Sequence, residues 1–223
     1  MICWDAIDTV LLDMDGTLLD LAYDNELWTR LLPERFSQVQ EVSLDEARAH
    51  LFEHMEEHKG RLHFYCLDYW AEFTGLDIIS LHHELAHLIV YRPWAREFLD
   101  HLRSLEQRTL LVTNAHRDSL AVKDEQADLS GRLDAVISCH DYGTPKETGE
   151  FWHRLLTEHP FDPARTLLID DNATVLDAAG GFGIAHLLTI AQPDSQRPPR
   201  TASRHPAVQD FRQLISSHPG ENG

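Results

Sequence analysis

The chain has 223 residues, 43 % apolar and 25 % charged, ordinary values for a soluble globular protein with one main core and room for a small second domain. Nineteen Lys and Arg stand against 37 Asp and Glu, a formal charge of −18, which disfavours broad binding of nucleic-acid polymers or anionic lipid. No apolar run approaches the roughly 20 residues that cross a bilayer, the first basic residue is Arg30, and Cys3, Cys66 and Cys139 show neither disulfide nor metal-ligand spacing, so a cytoplasmic protein without a secretory signal is expected.

Residues 7–13 (IDTVLLD) predict a first strand, which ends abruptly at Asp13-Met14-Asp15-Gly16-Thr17. From about residue 21 to residue 92 no strand is predicted. Helical stretches are expected over 25–32, 44–59, 62–73 and 78–90, and in the third Leu62, Tyr65, Cys66, Tyr69, Trp70 and Phe73 share one face. An apolar stripe of Phe98, Leu99, Leu102 and Leu105 then predicts a helix leading into a strand over 108–113. Further strands are expected over 134–139, 165–170 and 185–190. Helices are expected around Phe151, Trp152, Leu155 and Leu156, and around Val175, Leu176 and Ala179 with Gly180-Gly181 as its stop. After residue 191 the composition turns to Pro, Ser, Arg and His, predicting a loop, a short helix over 208–215 and a frayed tail.

Near-continuous apolar strands alternating with helices predict an α/β fold, a parallel sheet covered on both faces. Ligands of such sheets bind at the carboxyl ends of the strands, where Asp13, Asp15, Thr113, Asn114, Asp170 and Asp171 all fall. Asp13 and Asp15 lie two positions apart and so point the same way from an extended segment. Such a pair suits hydrolysis of a phosphate ester: one carboxylate attacks phosphorus and the other protonates the leaving oxygen. Gly16 allows close backbone approach, so the amides of the 13–17 loop could hold phosphate oxygens. Carboxylates facing a phosphate need a hard cation, and magnesium prefers such ligands, with Asp170 and Asp171 as additional donors. Thr113 and Asn114 offer donors to the phosphoryl group, and Lys146 offers positive charge.

These residues resemble the haloacid dehalogenase superfamily in all four of its motifs: the Asp-x-Asp-x-Thr loop at Asp13–Thr17, the strand-end Thr113, Lys146 and the acidic pair Asp170-Asp171. The resemblance runs from about residue 7 to residue 190. It implies a Rossmann-like three-layer α/β/α core (1–20 and 93–223) and a small all-α cap (21–92) inserted after the first strand. It also implies an aspartyl-phosphate mechanism and Mg2+ held by the Asp13 side chain, the Asp15 backbone carbonyl and Asp171, with Asp170 acting through water. The position where some members carry a further acid is Val175 here, and the presence of Asp15 separates the chain from the family's dehalogenases.

LLDMDGTLLDLAYDN, YCLDYW, LVTNAH and LLIDDN further resemble bacterial purine 5′-nucleotidases that prefer GMP and IMP. That resemblance implies a small phosphomonoester, a purine nucleotide, as partner, and no protein partner is inferable. Tyr65, Tyr69 and Trp70 are candidates for a purine slot, and Tyr23, Asp24 and Asn25 for other substrate contacts. A phosphosugar or phosphoglycolate-like phosphatase is the alternative within the family. A phospho-accepting receiver domain uses similar groups, but its acid pair precedes the phosphoacceptor and it lacks a helical insertion. His82, His83 and His87 have helical spacing and could bind a transition metal, though no Cys or Asp set accompanies them.

Overall fold

The computed structural model describes residues 2–215. Six strands form one parallel sheet: β1 (Thr9–Leu12), β2 (Arg108–Thr113), β3 (Ala135–Ser138), β4 (Thr166–Ile169), β5 (His186–Ile190) and β6 (Ala207–Val208), in the order β3-β2-β1-β4-β5-β6. Alternation along each strand divides the core in two. Leu11, Leu110, Val112, Ile137 and Leu168 pack against α9 (Gly149–Glu158) and α10 (Ala173–Phe182) through Phe151, Trp152, Leu155, Val175 and Leu176. Val10, Leu12, Leu111, Leu167 and Ile169 face the other way, toward α6 (Ala95–Ser104), α7 (Arg117–Ala127) and α11 (Arg212–Ile215). The result is the expected three-layer α/β/α core. No described helix is long and apolar enough to cross a membrane.

Register explains why the strand ends converge. Leu12 pairs with Leu111 on one side and Ile169 on the other, so Asp13 and Asp170 leave adjacent strands at one level, with Val112 and Thr113 beside them. The chain then departs into α1 (Ala22–Glu26), α2 (Leu32–Gln40), α3 (Leu44–His58), α4 (Leu67–Thr74) and α5 (Ile78–Glu84). Its exit and return run antiparallel: the Asp20 amide donates to the Val90 carbonyl (3.0 Å) and the Arg92 amide to that of Leu18 (2.9 Å).

Several boundaries differ from those the sequence predicts. The helix expected over 25–32 is the middle of a helical run from Ala22 to Gln40, with a π turn at Leu27–Leu31. Pro33 follows that turn; it has no amide to return and crowds the preceding carbonyls, which suits a widened turn. The stretch over 62–73 is broken into a 3-10 turn (Leu62–Tyr65) and α4, with Cys66 extended between them. The stretch over 78–90 is likewise α5 followed by a 3-10 turn at Ala86–Leu88.

Gly180-Gly181 does not end its helix. α10 runs to Phe182 and stops at Gly183, whose φ of 119° a side chain would resist. Gly180 instead lets α10 lie on β5: a Cβ there would stand 3.0 Å from Leu187 Cδ1. The 208–215 segment opens with the end of β6 before α11 begins, and the expected frayed tail lies outside the described residues. Two helices are not predicted at all, α7 and the short α8 (Cys139–Tyr142). In α7 the buried face includes Ser119 and Lys123 beside Leu120, Val122 and Ala127, so its apolar stripe is interrupted.

Within the insertion, buried Tyr23 places its hydroxyl 2.7 Å from His82 Nδ1. Burial, reinforced by Lys123, His83 and His116, pushes the His82 ring down to about 3. An unfolded histidine titrates near 6.5. The neutral ring's contribution to stability is therefore complete above that pH and is lost as pH falls toward 3. Urea-unfolding free energies measured from pH 7 to pH 4 should fall more steeply for the wild type than for His82→Gln, by up to about 1.4 kcal/mol per pH unit. Parallel curves would remove His82 as the cause.

Candidate active site

At the centre lies Lys146, buried at 2 % exposure in the loop before α9. Its Nζ donates to Asp13 Oδ1 (2.5 Å), Asp170 Oδ2 (2.7 Å) and the Val112 carbonyl (3.0 Å). The loop is fixed by two further bonds. The Lys146 amide donates to Asn114 Oδ1 (2.9 Å), and Trp152 Nε1 donates to the Lys146 carbonyl (2.9 Å). Burial alone would lower the ammonium's pKa, but the two carboxylates outweigh it and raise it, so the lysine is a fixed cation.

Asp13, Asp170 and Asp171 offer oxygens that all lie within 4.8 Å of one another. Burial pushes the Asp13 carboxyl up, against the pull of Lys146, with Asp170 and Asp15 adding repulsion. Asp170 and Asp171 are each raised to about 6, again chiefly by burial. A buried all-oxygen set with more negative charge than its lysine balances is the donor chemistry of a hard divalent cation. The two acids of the second pair differ. Asp170 is occupied at both oxygens, by Lys146 and by the Asn172 amide (2.8 Å). Asp171 is held at Oδ2 by Arg200 Nη2 (2.9 Å).

Gly16 has φ 77°, and a Cβ there would stand 2.9 Å from Asp171 Cγ, so the loop after β1 meets the loop after β4 only without a side chain. The Gly16 amide donates to the Leu19 carbonyl (2.8 Å) and the Thr17 amide reaches that of Met14 (3.4 Å). Those two amides close the turn, and Met14, Gly16 and Thr17 do not line the cavity described below. Thr113 is buried with its hydroxyl accepting from the Ala115 amide (3.0 Å).

Above these groups lies a cavity of 370 Å³ between the sheet edge and the helical insertion. Its floor is Asp13, Asp15, Thr113, Asn114, Lys146, Asp170 and Asp171. Trp28, Met55, Phe64, Tyr65 and Trp70 form its apolar side. Of the expected purine slot, Tyr65 and Trp70 are present. Tyr69 is absent from the lining: its hydroxyl bonds His54 Nε2 (2.7 Å) and its ring stacks on that histidine. Asp24 and Asn25 line the cavity, whereas Tyr23 is core. His82, His83 and His87 do not gather; the His, Cys and acid clusters among the described residues lie elsewhere.

Four groups absent from the sequence reading shape the site. Trp28 and Phe64 supply aromatic wall; Trp28 falls at the widened turn, which a regular periodicity misplaces. Glu147 accepts from Tyr65 Oη (2.6 Å) and Asn114 Nδ2 (2.9 Å), joining insertion to core. Its adjacency to Lys146 was the available signal. Lys123, at 1 % exposure, donates to Asp15 Oδ1 and Asp24 Oδ1, both at 2.7 Å.

A parallel α/β sheet with a helical insertion after its first strand, and acids gathered at its carboxyl edge, defines a Rossmann-like hydrolase. The chain belongs to the haloacid dehalogenase-like hydrolase family, whose model matches residues 7–183. It is 42 % identical over 216 residues to proteins named GMP/IMP nucleotidase YrfG from Escherichia coli strain K12 and from Shigella flexneri, covering 97 % of each chain. In fold it is similar to a HAD phosphatase from Thermococcus onnurineus (TM-score 0.78, 17 % identity, 93 % of this chain and 96 % of that one). It is also similar to an L-2-haloacid dehalogenase from Xanthobacter autotrophicus (TM-score 0.60, 17 % identity, 94 % and 97 %).

Burial drives the Asp24 carboxyl up to about 7, with Asp15 adding repulsion and Lys123 opposing both. Removing the lysine strands two acids. Lys123→Met should cost about 3–5 kcal/mol in urea unfolding, and adding Asp24→Asn should recover part of it. A single variant within 1 kcal/mol of wild type would mean that water already solvates the pair.

Proposed function

We propose that the protein is a magnesium-dependent 5′-nucleotidase that releases phosphate from purine mononucleotides such as GMP and IMP. The observation that carries this reading is the junction of Asp13, pinned by Lys146, with a cavity walled by Trp28, Phe64 and Trp70. Its volume falls within the roughly 300–1,000 Å³ of small-ligand sites. The identity to proteins named GMP/IMP nucleotidase supports the nucleotide assignment. A purine has two broad faces to set against aromatic rings, which a phosphosugar lacks.

In this reading the phosphate rests on the floor and the base lies among the rings. Asp13 attacks phosphorus in line, the bond to the ribose 5′ oxygen breaks, and Asp15 gives that oxygen its proton. Asp15 then takes a proton from water, which attacks the aspartyl-phosphate; the bond to Asp13 breaks and inorganic phosphate leaves. Lys146 holds Asp13 in place and carries positive charge toward the phosphoryl oxygens, with Thr113 and Asn114 beside it. Mg2+ would be held by Asp13, Asp171 and the Asp15 carbonyl, and by Asp170 through water, and would supply charge that lets two anions meet. The Asp170 oxygens, both taken by protein donors, suit that indirect role. Residues 21–92 act as a lid that excludes water and limits substrates to small esters.

Asp13→Asn should abolish turnover while leaving the thermal unfolding transition in place. A folded variant with near-wild-type rates would eliminate Asp13 as nucleophile. In a substrate panel with magnesium, GMP and IMP should exceed hexose phosphates and phosphoglycolate in kcat/KM. A preference for the sugar phosphates would replace the nucleotide reading with the phosphosugar one.

A further inference from the structure

A second cluster lies beside the cavity and has no part in the chemistry above. Cys66 stands between the 3-10 turn and α4 of the insertion, His116 in the loop after β2, and His140 in α8 after β3. One potential ligand atom from each lies within 4.8 Å of the other two. We propose that Cys66, His116 and His140 form a zinc site that joins the helical insertion to the core at the rim of the active-site cavity.

The donor set decides the metal. A thiolate and two imidazoles suit Zn2+, whereas Mg2+ demands oxygen ligands, so the two candidate sites are chemically orthogonal. His140 is prepared for this role. Its Nε2 is buried with no hydrogen-bond partner, while the backbone of Tyr65 hydrogen-bonds the ring. A histidine held through one nitrogen presents the other to a metal. The His116 and His140 ring centroids are 4.8 Å apart and nearly perpendicular.

A fourth ligand is at hand: Asp68, the second residue of α4, places Oδ2 3.9 Å from His116 Nε2. Cys66 loses its thiol proton to solvent on binding. The other histidine cluster, His54, Glu57 and His58, offers no thiol, and its His54 Nε2 already bonds Tyr69. Cys66 and Asp68 belong to the insertion, and His116 and His140 to the core, so a bound ion ties one to the other. Substrate entry and product exit require them to part, so zinc slows turnover.

The test uses the full chain in excess Mg2+, titrated with Co2+ as an absorbing stand-in for zinc. One equivalent should produce a thiolate-to-cobalt charge-transfer band that Zn2+ abolishes and further Mg2+ does not. Cys66→Ser should lose the band, and His140→Gln should bind Co2+ at least tenfold more weakly. Both variants should keep wild-type phosphatase rates without zinc and need at least tenfold more Zn2+ for half-inhibition. No band in the wild type, a band that survives Cys66→Ser, or equal Zn2+ inhibition of all three proteins overturns the proposal. The band is read without any substrate, so its fate is separate from that of the nucleotidase reading.

Discussion

The Lys146 ammonium, held between Asp13 and Asp170, is the interaction on which the rest of the site depends. A buried ion pair is weak evidence for stability, because stripping water from the charges costs as much as their attraction returns. Its value here is placement. The lysine reaches across two strand ends at one level of the sheet, and the Val112 carbonyl of a third strand accepts its remaining bond. β1, β2 and β4 must therefore keep their register within a fraction of a pleat. A slip of one residue would turn Asp13 to the opposite face of the sheet, toward α6, α7 and α11. The hydrophobic layers on both faces enforce that register, and the polar centre reads it out as geometry.

Lys123 extends the same principle into the insertion. It comes from α7 of the core, yet it joins Asp15 of the loop after β1 to Asp24 in the first helix of the insertion. Tyr65 and Glu147 make a second tie. The orientation of Asp15 is thus coupled to how the insertion sits. In the proposed mechanism, an acid whose carboxylate is tethered to the insertion would be aligned when that insertion is seated as a lid, which would link water exclusion to chemistry without a separate device.

The floor of the cavity was legible in the sequence because its parts obey strong local rules. An apolar strand that stops at an acid, repeated at Asp13 and Asp170, announces a sheet edge before any coordinates exist. The insertion was legible as helical, but not its breaks: Pro33 and Cys66 shift the periodicity, and Trp28 came into the cavity unannounced. α7 was invisible for a physical reason. Its inward face carries a charge whose partners are about 100 residues away in sequence, so no local window could reveal that Lys123 is buried. Arg200 escaped likewise, since its partner Asp171 lies across a loop that reads only as Pro- and Ser-rich.

That distinction between local and distant charge also resolves the tension set by a formal charge of −18 around the proposed site for an anion. Screening confines exposed charges to about 8 Å at physiological ionic strength, so most of the acidic surface is not felt at the floor of the cavity. Within that radius the balance differs from the average. Two lysines are buried with the acids, where the low dielectric makes each worth far more than a surface charge. They leave Asp13, Asp170 and Asp171 with a net negative charge suited to a divalent cation, which in the proposed function would make room for a phosphate. The acidic exterior governs solubility and the rate of encounter with an anion; affinity is set by a few ångströms of buried, paired charge.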